Sequence, residues 1–383
     1  MYIGAIITVT GPSQDEAGQT LRPASAIINH KLSGTPLAYW PLLGKSILER
    51  TVEKLCLSGV QHISVISENE APRSASKIEP IRPASSFWTS WEAAVSNYLR
   101  QGVETLLLIR LGHYAEIDVQ DFMSAHRESG DSLTQACSDR NPLDYVAVDA
   151  GELQRGDHLR FRLSQLIQSR KRFQFRGYCQ ELSRPDHYRQ LVTDALSGIC
   201  ALRPVGREVE PGFWLGEGAR VDGSSCVVGP TYVGAGVRVR NACTISGYSS
   251  IEQQCEIDCG TNVDSCSIFP ATYIGMGLNL KNAIVSGSHL FHLQRNVEVE
   301  IQDRRLIGTR FAPQRLMKSA KTYLGGKARK LSATVLSTRS SRLASLLTSR
   351  DSGNSSLEHF GDCQNTHRAR VEDKSPLVLG EVE

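Results

Sequence analysis

A six-residue rhythm of aliphatic side chains runs through the second half of the chain. Its ten anchor positions are Val209, Leu215, Val221, Val227, Val233, Val239, Ile245, Ile251, Ile257 and Val263. After a slip of one residue the rhythm continues at Ile268, Ile274 and Leu280. A period of six held over so many steps is typical of a parallel β-helix, in which each short strand points one anchor into a narrow coil.

Small side chains accompany the anchors, two residues before most of them. These positions hold Ala219, Ser225, Thr231, Cys243, Ser249, Cys255 and Thr261. A small residue there fits the tight turn beside each strand. Three hexads make one triangular coil in the left-handed form, so the pattern predicts a little over three coils, or about four with the later steps.

The first half of the chain has a different pattern, in which apolar strands alternate with amphipathic helices. Predicted strands cover 3–9, 62–66 and 105–109, and predicted helices cover 47–55, 89–99 and 119–129. Ser46 and Glu49 form a capping-box signal at the start of the first helix. Continuous apolar strands between helices indicate an α/β, Rossmann-like domain with a parallel sheet and helices on its faces.

Composition adds limits to this picture. The chain has 383 residues, room for two domains, and its net charge of +3 does not indicate a nucleic-acid partner. The ten cysteines include no CxxC pair, and Cys243 and Cys255 fall on the small-residue rhythm. We therefore expect buried, reduced thiols in a cytoplasmic protein. The first residues show no signal-peptide pattern, and no run is long and apolar enough to span a bilayer.

The charge is concentrated late in the chain. Residues 304–350 contain twelve Lys and Arg and no Asp or Glu. A basic, moderately apolar segment suits an anionic membrane surface, which would place the protein peripherally on a membrane. Two other interpretations remain, a polybasic arm for nucleic acid and a disordered, solvated tail. The sequence thus predicts three parts: an α/β domain at 1–200, a coil at 207–302 and a largely disordered tail at 303–383.

Two segments of the first half resemble a known family. The run from Pro41 to Thr51, continued by Gly59 to Ile66, resembles the early segment of the sugar-phosphate nucleotidyltransferases, and Tyr178–Tyr188 resembles their late segment. A left-handed β-helix is a common companion domain in that family. The resemblance implies transfer of a nucleotidyl group to a sugar 1-phosphate, with a nucleoside triphosphate or nucleotide-sugar as ligand and Mg²⁺ as cofactor if the protein is active.

The residues expected to perform this chemistry differ from the family pattern. Within the loop that begins the domain, Thr20 stands where the family has Arg, although Gly18 and Arg22 lie beside it. His113 stands where the family has its first metal-binding Asp. Glu181 stands at the second and keeps a carboxylate, so Arg22 and Glu181 are the catalytic candidates and Glu181 the metal candidate.

The candidates for nucleotide binding are Gly18, Trp88 and Thr89. Trp88 replaces a glycine of the family's base-binding turn, so its indole could stack on a base or fill the pocket. The segment Asp149–Tyr178 is too short for the family's sugar-binding subdomain.

These departures lead to one leading interpretation with two alternatives. The leading one is a nucleotidyltransferase-like protein with weak or absent catalysis and a regulatory or scaffolding role in sugar-nucleotide or polysaccharide biosynthesis. The first alternative is an active sugar-1-phosphate nucleotidyltransferase. The second is a hexapeptide-repeat acyltransferase using His289 or His292, which lie past the regular repeat. The coil also offers flat sides for homo- or hetero-oligomer contacts.

Overall fold

The fold is taken from a computed structural model of the protein. It describes residues 2–9, 37–67, 87–139, 141–154, 158–182 and 184–310, which belong to one compact unit, Met1–Pro313. The predicted tail, apart from residues 303–310, lies outside the described residues. No helix in the described ranges combines the length and apolar character needed to cross a membrane.

The first half contains ten strands and five α-helices among the described residues. In chain order they are β1 (Ile3–Val9), β2 (Pro41–Leu42), β3 (Lys45–Ser46), α1 (Ile47–Leu57), β4 (His62–Ser67), α2 (Phe87–Arg100), β5 (Thr105–Arg110), β6 (His113–Ala115), α3 (Val119–Ser129), β7 (Leu133–Ser138), β8 (Asn141–Asp149), α4 (Leu159–Gln168), β9 (Lys171–Phe175), β10 (Cys179–Glu181) and α5 (Pro185–Leu196). Two short 3-10 helices cover Leu37–Tyr39 and Ala150–Gln154.

The main sheet is mixed, with the strand order β4-β1-β5-β8-β7-β9. Strands β4, β1 and β5 are parallel, as the apolar pattern predicts. The expectation of a wholly parallel sheet is wrong at β8, which runs antiparallel to both β5 and β7. The short β7–β8 connection, where Asp139 has φ 51°, forms a hairpin, and a hairpin pairs its strands antiparallel.

Two helices, α1 and α3, begin at residues whose side chains cap them. Ser46 caps α1 by accepting a hydrogen bond from Glu49 N, and the Glu49 carboxylate accepts one from Ser46 N, which confirms the capping box. Asp118 caps α3, accepting from two backbone N–H groups of its first turn. The two faces of the sheet carry separate cores, one around Phe122 on α3 and one around Val95 on α2.

The second half is built of short strands. They are β11 (Arg207–Glu210), β12 (Phe213–Leu215), β13 (Arg220–Val221), β14 (Cys226–Val227), β15 (Thr231–Val233), β16 (Arg238–Val239), β17 (Thr244–Ser246), β18 (Ser250–Ile251), β19 (Glu256–Ile257), β20 (Asn262–Asp264), β21 (Ser267–Ile268), β22 (Thr272–Ile274), β23 (Asn279–Lys281), β24 (Ala283–Ser286), β25 (His289–His292), β26 (Val297–Glu300) and β27 (Ile307–Thr309).

These strands form three sheets that are consistent with a β-helix-like fold. From β12 to β24 the strands fall in turn on the three sheets, and each strand from β12 to β21 pairs in parallel with the strand about three hexads later, as Arg220 does with Arg238. Strands that pair across the slip join residues that lie one position closer together in the sequence, as Ser250 and Ser267 do. The strand pairing therefore contains the one-residue slip that the hydrophobic pattern predicts.

The anchors form the core of the coil. From Val233 to Leu280 every anchor is buried, and those from Leu215 to Val227 are partly buried. Val209 is an exception, with 37% of its surface exposed. It lies on β11, which pairs antiparallel with β12 at the edge of the stack, so its place in the six-residue register is a coincidence of spacing.

The small residues link successive coils by hydrogen bonds. Cys243 Sγ donates to Asp258 O at 3.1 Å, Cys255 Sγ donates to Phe269 O at 3.0 Å, and Thr261 Oγ1 donates to Gly275 O at 2.6 Å. Each bond satisfies a carbonyl of the next coil. The expectation that Cys243 and Cys255 are buried by packing is confirmed.

The coil packs against the first half through one face. Trp40, Tyr188 and Phe269 meet edge-to-face, with ring centroids 5.1 to 5.8 Å apart. Beside them the buried Arg189 of α5 donates hydrogen bonds to three carbonyls of coil turns, those of Gly247, Tyr248 and Ser265.

Candidate functional site

The candidate site lies beyond the carboxyl end of β5, where ligands bind in open α/β sheets. The chain leaves β5 at Arg110 and enters β6, which pairs antiparallel with β10. In this ladder His113 and Glu181 are direct partners, and Leu182 N donates to Gly112 O at 3.0 Å. The structure thus brings together the two positions at which the family resemblance expects metal-binding carboxylates.

A third side chain joins the site from β8. Asp144 Oδ1 accepts a hydrogen bond from Arg110 Nη2 at 2.8 Å, and its Oδ2 lies 3.6 Å from His113 Nδ1. Sequence reasoning missed both Arg110 and Asp144. The available signal was an acidic residue within the apolar run from Leu143 to Val148, a position that ordinarily faces a partner of opposite charge.

The electrostatics follow from this arrangement. Asp144 is mostly buried and is held by the Arg110 guanidinium, so its negative charge is balanced within the protein. Its second oxygen, Oδ2, lies 3.6 Å from His113 Nδ1, which is beyond hydrogen-bonding distance, so this approach is an electrostatic contact. The site therefore places an imidazole beside the carboxylate of Glu181.

This donor set does not fit the Mg²⁺ that the family resemblance implies. Mg²⁺ is a hard cation that prefers oxygen, and a neutral imidazole is a poor ligand for it. The Asp144 carboxylate is already engaged by Arg110, so one carboxylate, that of Glu181, stands where the family uses two. Within the described ranges, no group of three or more His, Cys, Asp or Glu is arranged to hold a metal ion.

The candidates for nucleotide binding occupy the first turn of α2. Trp88 is half-buried, its ring centre lies 6.0 Å from that of Trp91, and the Arg160 guanidinium lies 5.7 Å from its ring centre. These contacts favour the interpretation that Trp88 fills space at the edge of the core. Thr89 is exposed beside it. Gly18 and Arg22, the candidates in the loop after β1, lie outside the described residues.

The histidines considered for acyl transfer lie on β25, past the parallel coils. This strand pairs antiparallel with β24 and β26, and His289 Nδ1 lies 3.5 Å from Glu298 Oε1. His289 and His292 are therefore part of an antiparallel extension of the stack and do not project from a parallel coil.

The sequence was also compared with known proteins. No protein-family model matches it, and a search of curated proteins gives no match.

Proposed function

We propose that this protein is a sugar-phosphate nucleotidyltransferase-like protein with a left-handed β-helix as its companion domain. It binds a nucleotide or nucleotide-sugar, transfers nucleotidyl groups weakly or not at all, and serves a regulatory or scaffolding role in sugar-nucleotide or polysaccharide biosynthesis. The observation that carries the proposal is the direct pairing of His113 with Glu181 at the carboxyl end of β5.

The binding half of the proposal rests on the sheet. Strands β4, β1 and β5 are parallel neighbours, so their carboxyl ends meet at one edge. That edge of an open α/β sheet is where phosphate-bearing ligands bind, because loops and helix N-termini converge there. The loss of metal ligands does not remove this edge, and binding can survive where catalysis does not.

The part of the proposal that concerns catalysis, its weakness or absence, is argued from the charges at the site. When a sugar 1-phosphate attacks the α-phosphate, pyrophosphate leaves and negative charge develops on the phosphate oxygens. Catalysis of such a step depends on cations placed to stabilise that charge. Here His113 replaces a metal-binding carboxylate, and the nearby Arg110 cation is paired with Asp144.

The proposal is tested by measuring pyrophosphate release. The full chain is incubated with Mg²⁺, each common nucleoside triphosphate and a panel of sugar 1-phosphates. We expect release at the level of the protein-free control. Mg²⁺-dependent release that Glu181→Gln abolishes, and that the control Glu217→Gln on the exposed coil surface leaves unchanged, would instead establish the active nucleotidyltransferase.

A further inference from the structure

A buried carboxylate joins the coil to the first half of the molecule. Glu252 follows the anchor Ile251 on the coil, and only 1% of its surface is exposed. Its Oε1 accepts a hydrogen bond from Leu43 N and its Oε2 accepts one from Gly44 N, both at 3.0 Å. These two residues form the turn of the hairpin made by β2 and β3.

The turn is shaped to present two donors to one carboxylate. Leu43 and Gly44 both have positive φ, 53° and 97°, which directs their successive N–H groups toward one point. A side chain at Gly44 would meet Tyr232, because a Cβ there would lie 2.5 Å from the Tyr232 Oη. The hairpin is therefore seated on the coil at contact distance.

One positive charge balances Glu252. Arg50 of α1 donates to Leu42 O at 2.8 Å and to Leu43 O at 2.9 Å, and its charge favours the ionised carboxylate. Among the residues that the structure describes, Tyr188, Tyr232 and Cys255 are further titratable groups that interact with Glu252. Burial raises the pKa of all three, that of Cys255 to about 12, so they are neutral near pH 7.

We propose that Glu252 is a proton-operated latch, whose loss of a proton weakens the seating of the 41–46 hairpin on the coil. When the hairpin is packed on the coil, the ionised carboxylate is removed from water. The two N–H donors and the one nearby cation offset only part of this desolvation free energy. When the hairpin lifts, the carboxylate regains water. The latch does not depend on nucleotide binding, so it can be tested independently of the proposed function.

The direction of the pH effect follows from the pKa of Glu252. Burial raises it from 4.5 to about 7, against the lowering effects of Gly44 N, Leu43 N and Arg50. The seated form thus retains a proton that the lifted form has released. The hairpin is therefore held most tightly on the coil below about pH 4.5. The contact weakens as the pH rises toward 7 and does not weaken further well above pH 7.

The test is amide hydrogen exchange at residues 41–46 of the full chain between pH 5.5 and 8.5, corrected for intrinsic exchange. We expect the opening constant of the hairpin to rise about thirtyfold over this range and to level off near its upper end. Glu252→Gln should abolish the rise, whereas the surface control Glu217→Gln should keep it. An unchanged opening constant in the wild type, or the same rise in Glu252→Gln, would overturn the latch.

A measurement on the wild type alone covers the case in which Glu252→Gln does not fold. The infrared carbonyl band of a protonated buried carboxyl group should titrate near pH 7 in the intact protein. Absence of such a band would also overturn the proposal. His126, whose pKa is lowered by burial, shifts global stability in the opposite direction, so it cannot mimic the expected change.

Discussion

His113 and Glu181 face each other as direct partners across the antiparallel ladder of β6 and β10. Side chains at paired positions lie on one face of the ladder, with Cβ atoms about 5 Å apart. A single exchange of His113 for a carboxylate would therefore place two acidic groups at one site. Under the proposed function, this pairing supplies the frame of a two-carboxylate site, with His113 at one of its two positions.

Replacing His113 by Asp should raise the affinity for Mg²⁺ by about tenfold or more, because two facing carboxylates supply the oxygen ligands that this cation prefers. Isothermal titration with MgCl₂ measures the change. The double variant His113→Asp, Glu181→Gln should lose the gain. Equal affinity in the wild type and in His113→Asp would show that the pair does not form a metal-binding frame.

Replacing Arg189 by Ala should lower the free energy of unfolding by about 3 kcal/mol or more, since three coil carbonyls lose their donor in a buried setting. Urea denaturation measures the loss. The matched control is Arg184→Ala at the N-cap of the same helix, whose exposed pair with Asp186 should contribute less than about 1 kcal/mol. Similar losses in the two variants would contradict the role of Arg189 in fastening the coil.

Replacing Gly44 by Ala should destabilise the protein more than replacing Gly59 by Ala. Both residues have positive φ, 97° and 82°, so both variants carry backbone strain of about 1–3 kcal/mol. At Gly59 a Cβ meets nothing within 4 Å, whereas at Gly44 it meets Tyr232. Thermal denaturation compares them. We expect Gly44→Ala to lose a further 1–3 kcal/mol or so, and an equal loss would show that the hairpin is not tightly seated.

Replacing Ile257 by Ala should cost about 2–5 kcal/mol, because this anchor is fully buried in the coil. The control is Val209→Ala, at a position that shares the six-residue spacing but is partly exposed on β11, and its cost should stay near 0.5 kcal/mol. Chemical denaturation of both variants checks the contrast. A large loss at Val209 would place it in the core against the observed exposure.

The hydrophobic pattern was sufficient for elements whose partners are close in sequence. The strand Ile3–Val9, the capped helix after Ser46 and the one-residue slip of the coil were all readable, because each depends on local periodicity or on a residue three positions away. The antiparallel strands β8 and β25 were not predicted. Their direction depends on turn conformation, as at Asp139, which a run of apolar residues does not encode.

Contacts between segments that are far apart in the chain could not be predicted from the sequence pattern. In the sequence Glu252 is one of few charged residues on the coil. Its partners Leu43 and Gly44 lie more than 200 residues earlier, so no local pattern indicates the contact. Asp144 is similar, since its pairing with Arg110 depends on β8 lying beside β5. His113 and Glu181 were singled out because each lies in a segment that resembles a family pattern, and their role in a functional site stays a prediction.

The most direct test of the proposed function is thermal denaturation of the full chain with each common nucleoside triphosphate and the corresponding nucleotide-sugars. A ligand that binds the folded form alone stabilises it by about 2.7 kcal/mol at a concentration 100 times its Kd, enough to raise the Tm by several degrees. We predict such a rise for at least one nucleotide or nucleotide-sugar. An unchanged Tm across the whole panel would contradict a surviving nucleotide site.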